Sequence, residues 1–266
     1  MPGRVRATGF SARTTRPTLW ARRAPVALGA ATVLAQIVYP LVSGAARDRL
    51  TVVAVLLFAA TSVAHALVWR GPAWTATLVA VTAGGGLLVE AVGVHTGIPF
   101  GAYAYTGSLG WKLSGVPVVI PLAWTMMAYP ALLVGREISP HPVKGPLVAG
   151  AALASWDLFL DPQMVDAGHW VWAPGSGPAL VGIPVSNFAG WLLVSVLMMA
   201  LLWRALPLAA RTGRDDWVPY ALYLWTYGSS VLAHAAFFGL PGSALAGGVG
   251  MGAVVTAFVW TQRRRP

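Results

Sequence analysis

The sequence predicts an all-α fold, a polytopic bundle of transmembrane helices. Three observations lead there. Of 266 residues, 57% are hydrophobic and only 10% are charged, too apolar a balance for a soluble domain of this length. The apolar residues gather into eight runs, most of them near the roughly 17–25 residues a helix needs to cross a bilayer. With the N-terminus placed inside, 15 of the 18 Lys and Arg residues fall on the cytoplasmic side, as the positive-inside rule requires.

The chain opens on a basic segment, residues 1–23, with Arg4, Arg6, Arg13, Arg16, Arg22 and Arg23 and no acid. It is expected to be a disordered tail ahead of the first span. Arg22-Arg23 is a twin arginine without a convincing cleavage site after it, which favours an uncleaved anchor over a signal peptide. A single transmembrane domain, residues 24–262, should follow. Its spans are expected near 24–44, 50–69, 74–95, 115–135, 145–162, 182–204, 217–238 and 242–260. The fifth run is short and the eighth is glycine-rich, so seven is the alternative count. Removing a span breaks the Lys/Arg alternation, however, and eight spans with both termini cytoplasmic is the consistent solution. Glycines in the third run (Gly84, Gly85, Gly86) and the eighth (Gly247, Gly248, Gly250, Gly252) would let helices approach closely.

Composition also excludes function classes. There is no cysteine, so disulfides, thiolate metal sites and cysteine catalysis are ruled out. The net charge of +10 would suit nucleic acid, but the basic residues sit at the chain ends and in short connections, where topology already accounts for them.

The topology gives each polar residue a depth. Glu90 and His95 close the third span, Asp157 and Asp161 the fifth, and His234 the seventh, while Asn187 opens the sixth. All lie at outer ends. The inner halves hold little comparable except His65. Acids inside a bilayer are costly and mark function by default. Asp157 and Asp161 are four residues apart, about one turn, so they share a helix face, and Pro162 is expected to stop that helix. Apolar neighbours around Glu90 would favour its protonated acid. Asn187 either caps its helix or holds a water or a carboxylate. His95 and His234 with the acids are enough for a metal site on paper, but no tight motif such as His-Glu-x-x-His supports one. The two longest loops, about 96–114 and 163–181, lie on the same outer side. They carry Phe100, Tyr103, Tyr105, Trp111, His169, Trp170 and Trp172, and form the natural cover for a site built from helix ends.

Three stretches carry a resemblance: Glu90 to Tyr105 (EAVGVHTGIPFGAYAY), Asp157 to Met164 (DLFLDPQM) and Gly182 to Trp191 (GIPVSNFAGW). Together, in this order, they resemble a carotenoid-biosynthesis family of integral membrane proteins that includes γ-carotene 1′-hydroxylases and bisanhydrobacterioruberin hydratases. The resemblance covers roughly residues 75–240. It implies an enzyme of the hydro-lyase type in the cell membrane, adding water across the C1–C2 double bond of an acyclic (ψ) end group. The substrate would be a linear carotenoid dissolved among membrane lipids, and other enzymes of the same pathway are possible partners.

The residues suit that chemistry. Protonation of a trisubstituted alkene needs a strong, dry acid, a role for Asp157 or Glu90. The tertiary cation that results needs negative charge or aromatic faces, for which Trp156, Phe159, Tyr103, Tyr105 and Trp191 are candidates. Water would be held by Asp161 with Asn187, and His95 and His234 are further substrate-binding candidates. No cofactor and no metal are required. Three other readings use the same features. A carotenoid end-group cyclase begins with the same protonation but excludes water. A UbiA-type prenyltransferase shares a pattern like Asp157-x-x-x-Asp161, but no second copy is present and few basic residues are nearby to hold a diphosphate. A transporter or lipid-binding scaffold could use buried acids as a proton relay, although no inverted repeat is visible.

Overall fold

Eight helical rods, joined mostly by short connections, make one bundle in the computed structural model, which describes residues 18–206 and 215–264. The basic tail expected over residues 1–23 falls largely outside these residues. From residue 19 on, the chain is already helical: α1 runs Leu19–Val38, with the Thr18 hydroxyl accepting from Ala21 N at 3.3 Å, so Arg22 and Arg23 lie within the helix. A short 3₁₀ turn, Tyr39–Leu41, ends this rod, and α2 follows as Gly44–Arg70. The third rod is α3 (Pro72–Val79), a π-helical turn (Ala80–Gly84) and α4 (Gly85–Thr96) in line. The remaining rods are α5 (Val119–Ile138), α6 (Lys144–Asp166), α7 (Val185–Ala205), α8 (Trp217–Ala236) and α9 (Pro241–Arg263).

Six rods are long and apolar enough to cross a membrane by themselves, and the molecule is a helical membrane protein. The other two, α6 and α8, are as long but fall below the mean hydropathy of such a span. Helix α6 can tolerate acids because it packs on α5, α7 and α9 and buries Asp157 and Asp161 among them. Helix α5 is the axis of the bundle, with 94% of its span buried.

Pro162 does not stop α6, contrary to expectation; the helix runs one turn further, to Asp166. A proline inside a helix leaves the carbonyl four residues earlier without its N–H. Here that carbonyl, Leu158 O, accepts from the Ser243 hydroxyl of α9 at 2.7 Å. The same repair serves Pro130 in α5: the Met126 carbonyl accepts from Ser62 Oγ of α2 at 3.0 Å. In both cases a neighbouring helix supplies the donor, so the proline couples two rods. The fifth span, expected to be short, is 23 residues long for this reason. The fourth begins later than expected, because residues 116–117 are extended.

The glycine expectation holds at some positions. A Cβ on Gly86 would sit 2.8 Å from the Trp124 ring, and one on Gly247 2.5 Å from Phe159, while Gly84 faces open space.

The two long loops meet at one end of the bundle. Strand β1 (Tyr103–Tyr105) pairs antiparallel with β4 (Trp170–Trp172), in register Tyr103↔Trp172 and Tyr105↔Trp170. Two small hairpins, β2–β3 (Lys112–Leu113 with Val116–Pro117) and β5–β6 (Ala179–Leu180 with Ile183–Pro184), lead into α5 and α7. This roof is stitched by His169, whose Nδ1 lies 2.7 Å from Ser108 Oγ and whose Nε2 lies 3.9 Å from the Asp48 carboxylate of α2.

The opposite end was expected to hold little besides His65, and it holds more. His65 bridges the Tyr129 hydroxyl (2.8 Å) and the Asp215 carbonyl (2.7 Å). Arg70 Nη2 donates to both oxygens of Asp216, at 2.5 and 2.6 Å. Arg136 donates to Leu206 O at 2.8 Å, and Tyr220 donates to Glu137 at 3.2 Å. Read along the sequence these charges look like loop residues; packing turns them inward, where Arg70 and Asp216 pair with each other while Arg136 and Glu137 meet a backbone carbonyl and a phenol.

Candidate active site

Under the roof, in the half of the bundle nearest the two loops, lies a cavity of about 170 Å³. A water needs roughly 10–15 Å³ of such space, so the end of a hydrocarbon chain fits. Glu90, Asp161 and Asn187 contribute its polar wall, and Trp124, Trp156, Phe159 and Trp191 much of its apolar surface. From there it extends to the cleft between α1 and α8, where its lining residues Gln36, Pro40, Ser229 and Ser230 are half-buried. Exposed Leu34, Ile37 and Val38 of α1 and Leu232 of α8 flank that cleft, so it opens on an apolar side of the bundle.

Glu90 sits about 9 Å, six residues, inside the end of α4. It is 4% exposed, and three donors converge on it. Tyr103 and Tyr105 donate to Oε2 at 2.5 and 2.7 Å, and the Trp124 indole N–H donates to Oε1 at 3.0 Å. The alternation of β1 does not by itself aim both tyrosines at one acid; the roof does, by laying the strand along α4. Gly93 makes room, since a Cβ there would come within 2.9 Å of the Tyr103 hydroxyl. Trp124 is stacked on Trp191 with centroids 4.1 Å apart and planes at 7°, and Trp156 meets Trp191 edge-on at 6.2 Å.

Asp157 and Asp161 share a face of α6, as their spacing predicts, and both are buried. One amide nitrogen serves both: Asn187 Nδ2 donates to Asp157 Oδ2 at 2.9 Å and to Asp161 Oδ2. The shared amide nitrogen holds the two carboxyl groups beside each other. Trp170 of the roof donates to Asp161 Oδ1 at 3.1 Å, while Asp157 Oδ1 has no partner. Only Asp161 of the two lines the cavity; Asp157 stands behind it. Asn187 caps nothing: α7 begins at Val185 without a side-chain cap, and the Asn187 side chain holds carboxylates instead. Lys112 does not pair with the acids; it donates to Tyr105 O at 2.6 Å.

The sequence-derived candidates therefore divide. Glu90, Asp161, Asn187, Tyr103, Tyr105, Trp156, Phe159 and Trp191 line one cavity. Asp157 reaches it through Asp161. His95 does not belong to it: exposed on α4, it bonds its own helix through Nδ1 to Ala91 O at 2.7 Å. His234 is fully buried just behind the lining, its Nε2 lying 3.2 Å from Gln163 Oε1. Among the described residues no three His, Asp or Glu side chains gather as a metal site would require.

Sequence reasoning missed Trp124 and Gln163. Trp124 had a signal: a tryptophan deep in an apolar run must find a partner for its N–H, and Gly86 leaves a gap at its ring. Gln163 was visible within DLFLDPQM, but nothing local showed that it faces the same space as Asp161.

Comparison with known proteins gives a consistent result. The family described as carotenoid biosynthesis protein matches residues 50–254. Bisanhydrobacterioruberin hydratase of the archaeon Haloarcula japonica is 36% identical over 119 residues, covering 41% of this chain and 39% of that protein. The chain thus aligns with about two fifths of that relative's length. No solved structure matches.

Proposed function

The chain belongs to the carotenoid biosynthesis protein family, and from that premise we propose that it hydrates the acyclic end group of a linear carotenoid in the cell membrane, adding water across the terminal C1–C2 double bond. The observation that carries the reading is the contrast between two acid sites on one apolar cavity. One, Glu90, has three donors. The other, the Asp157–Asp161 pair, has too few donors for two negative charges.

Two carboxyl groups that share one amide are satisfied when they hold one proton between them. Asp161 presents that proton to the cavity. Transfer to C2, the less substituted carbon, leaves a tertiary cation at C1. Glu90, fully hydrogen-bonded without a proton of its own, supplies fixed negative charge for that cation, and the Trp124, Trp156 and Trp191 rings supply π faces. Water adds at C1, and its departing proton restores the aspartate pair. The product is a tertiary alcohol; one water is consumed and no oxidant is used. The sequence left the acid open between Asp157 and Glu90, and this geometry favours the aspartates. The cleft between α1 and α8 lets the rest of the polyene remain among the lipids, so only its end is enclosed.

The test is product analysis in cells that accumulate an acyclic carotenoid such as lycopene. The expected result is a pigment heavier by one or two waters, with label arriving from H₂¹⁸O and not from ¹⁸O₂. An isomer of unchanged mass, or no new pigment from either lycopene or a longer linear carotenoid, would overturn the reading.

A further inference from the structure

Resting on the hydration reading, we propose that Gln163, oriented by His234, is the binding site for the attacking water, on a different wall of the cavity from the acid. Along α6, Trp156, Phe159, Leu160 and Gln163 repeat at i, i+3, i+4 and i+7, one helical stripe, and all four line the cavity. Asp161, two residues before Gln163, projects from the helix at an angle well away from that stripe. An alkene lying across the stripe thus meets the acid on one side and the amide on another.

The amide is held in place. His234 is fully buried, its ring edge-on to Phe159 (5.2 Å) and Phe238 (5.5 Å), with Nε2 at 3.2 Å from Gln163 Oε1. His234 Nδ1 has no partner. A buried N–H left unpaired costs more than an unpaired lone pair. The tautomer is therefore Nε2–H, donating to Gln163 Oε1, with the bare lone pair on Nδ1. One lone pair of Oε1 is thus occupied, and the other remains for a water O–H. Gln163 itself is only half-buried, open on its cavity side. A water donating one hydrogen to Oε1 keeps a lone pair for the cation. As the C1–O bond forms, its other proton is released into the cavity and the carboxylate that protonation created at Asp161 is reprotonated, so one water is consumed and no net proton. The same contact then holds the new hydroxyl.

A residue that only supports the helix would, when changed, reduce every product alike. A water site changes the fate of the cation instead. The purified protein in detergent is given linear carotenoid in D₂O, and both hydrated product and deuterium in recovered alkene are measured by mass spectrometry. For Gln163→Leu, hydrated product should fall at least tenfold relative to deuterium exchange or isomerised alkene, because the cation now loses a proton rather than gaining water. His234→Phe, which frees the amide, should shift the ratio the same way but less, and Gln163→Glu, which keeps an acceptor, should retain more hydration than Gln163→Leu. An unchanged ratio in Gln163→Leu, or equal loss of hydration and exchange in all three variants, would overturn the proposal. A wild-type protein that exchanges deuterium but never gains water would instead overturn the hydration reading, and this inference with it.

Discussion

Glu90 and the Asp157–Asp161 pair lie on the same cavity, equally buried, yet they are built as opposites. Glu90 receives two phenols and an indole, one donor more than it has oxygens. The aspartates bring four oxygens and receive one amide nitrogen and one indole, with Asp157 Oδ1 left bare. Burial alone does not decide what an acid does; the donors around it decide whether the site is complete with a negative charge or with a proton. The difference also divides the labour between elements. Donors to Glu90 come from the roof and α5, and those to the aspartates from α7 and the roof.

The most severe way to break the contrast is Asp161→Asn. It removes the cavity-facing acid, and product formation should fall about 10³-fold, within the range of lost general acid catalysis. Asp157→Asn should cost nearly as much although Asp157 does not line the cavity, because a shared proton needs both carboxyls; an initial rate near wild type for that variant would mean Asp161 acts alone. Glu90→Gln comes next, with turnover down about 10²-fold from lost electrostatic stabilisation. It also replaces one acceptor oxygen with an NH₂ facing donors, so thermal unfolding in detergent should show a loss of about 1–3 kcal/mol; full turnover would remove Glu90 from the chemistry.

Smaller changes sharpen the comparison. Tyr105→Phe or Trp124→Phe removes one of three donors, and each should cost about 0.5–1.5 kcal/mol of stability and only a few-fold in rate. Equal rates for these variants and Glu90→Gln would show that the donors, not the charge, matter.

The smallest effect concerns the roof that serves both sites. Burial lowers the pKa of His169 below its usual 6.5, opposed in part by Asp48. The folded state therefore binds fewer protons here than the unfolded chain. Stability of the roof is intact above about pH 6.5 and declines as pH falls below it. Hydrogen exchange of the 103–105 and 170–172 amides should quicken modestly between pH 7 and 5, and His169→Gln should flatten that dependence.

Much of this was legible in the residues. Hydropathy gave eight rods, because apolar run length is a local property. The spacing of Asp157 and Asp161 gave a shared face, because helical periodicity is fixed by the backbone. Placing Glu90, the aspartates, Asn187 and His234 at one end followed from counting residues along each span. Where the reading failed, a distant partner was responsible. Pro162 does not end α6 because Ser243 donates to the freed carbonyl of Leu158, 85 positions before it. His95 leaves the site because α4 turns it outward. Arg70, Arg136, Glu137 and Asp216 read as loop charges until packing turns them inward, Arg70 onto Asp216, Arg136 onto the Leu206 carbonyl and Glu137 onto Tyr220.

The sequence by itself therefore determined the class of molecule, the number of rods, the shared end of the bundle for Glu90, Asp157 and Asp161, and the family, all functions of composition, spacing and motif. Only the tertiary structure decided which acid is saturated with donors, that Asp157 stands behind Asp161, and that Gln163 faces their cavity. Those outcomes depend on how each helix is rotated against its neighbours and on the pairing of Tyr103–Tyr105 with Trp170–Trp172. Contacts of that kind join segments about 65 positions apart, and no local pattern encodes them.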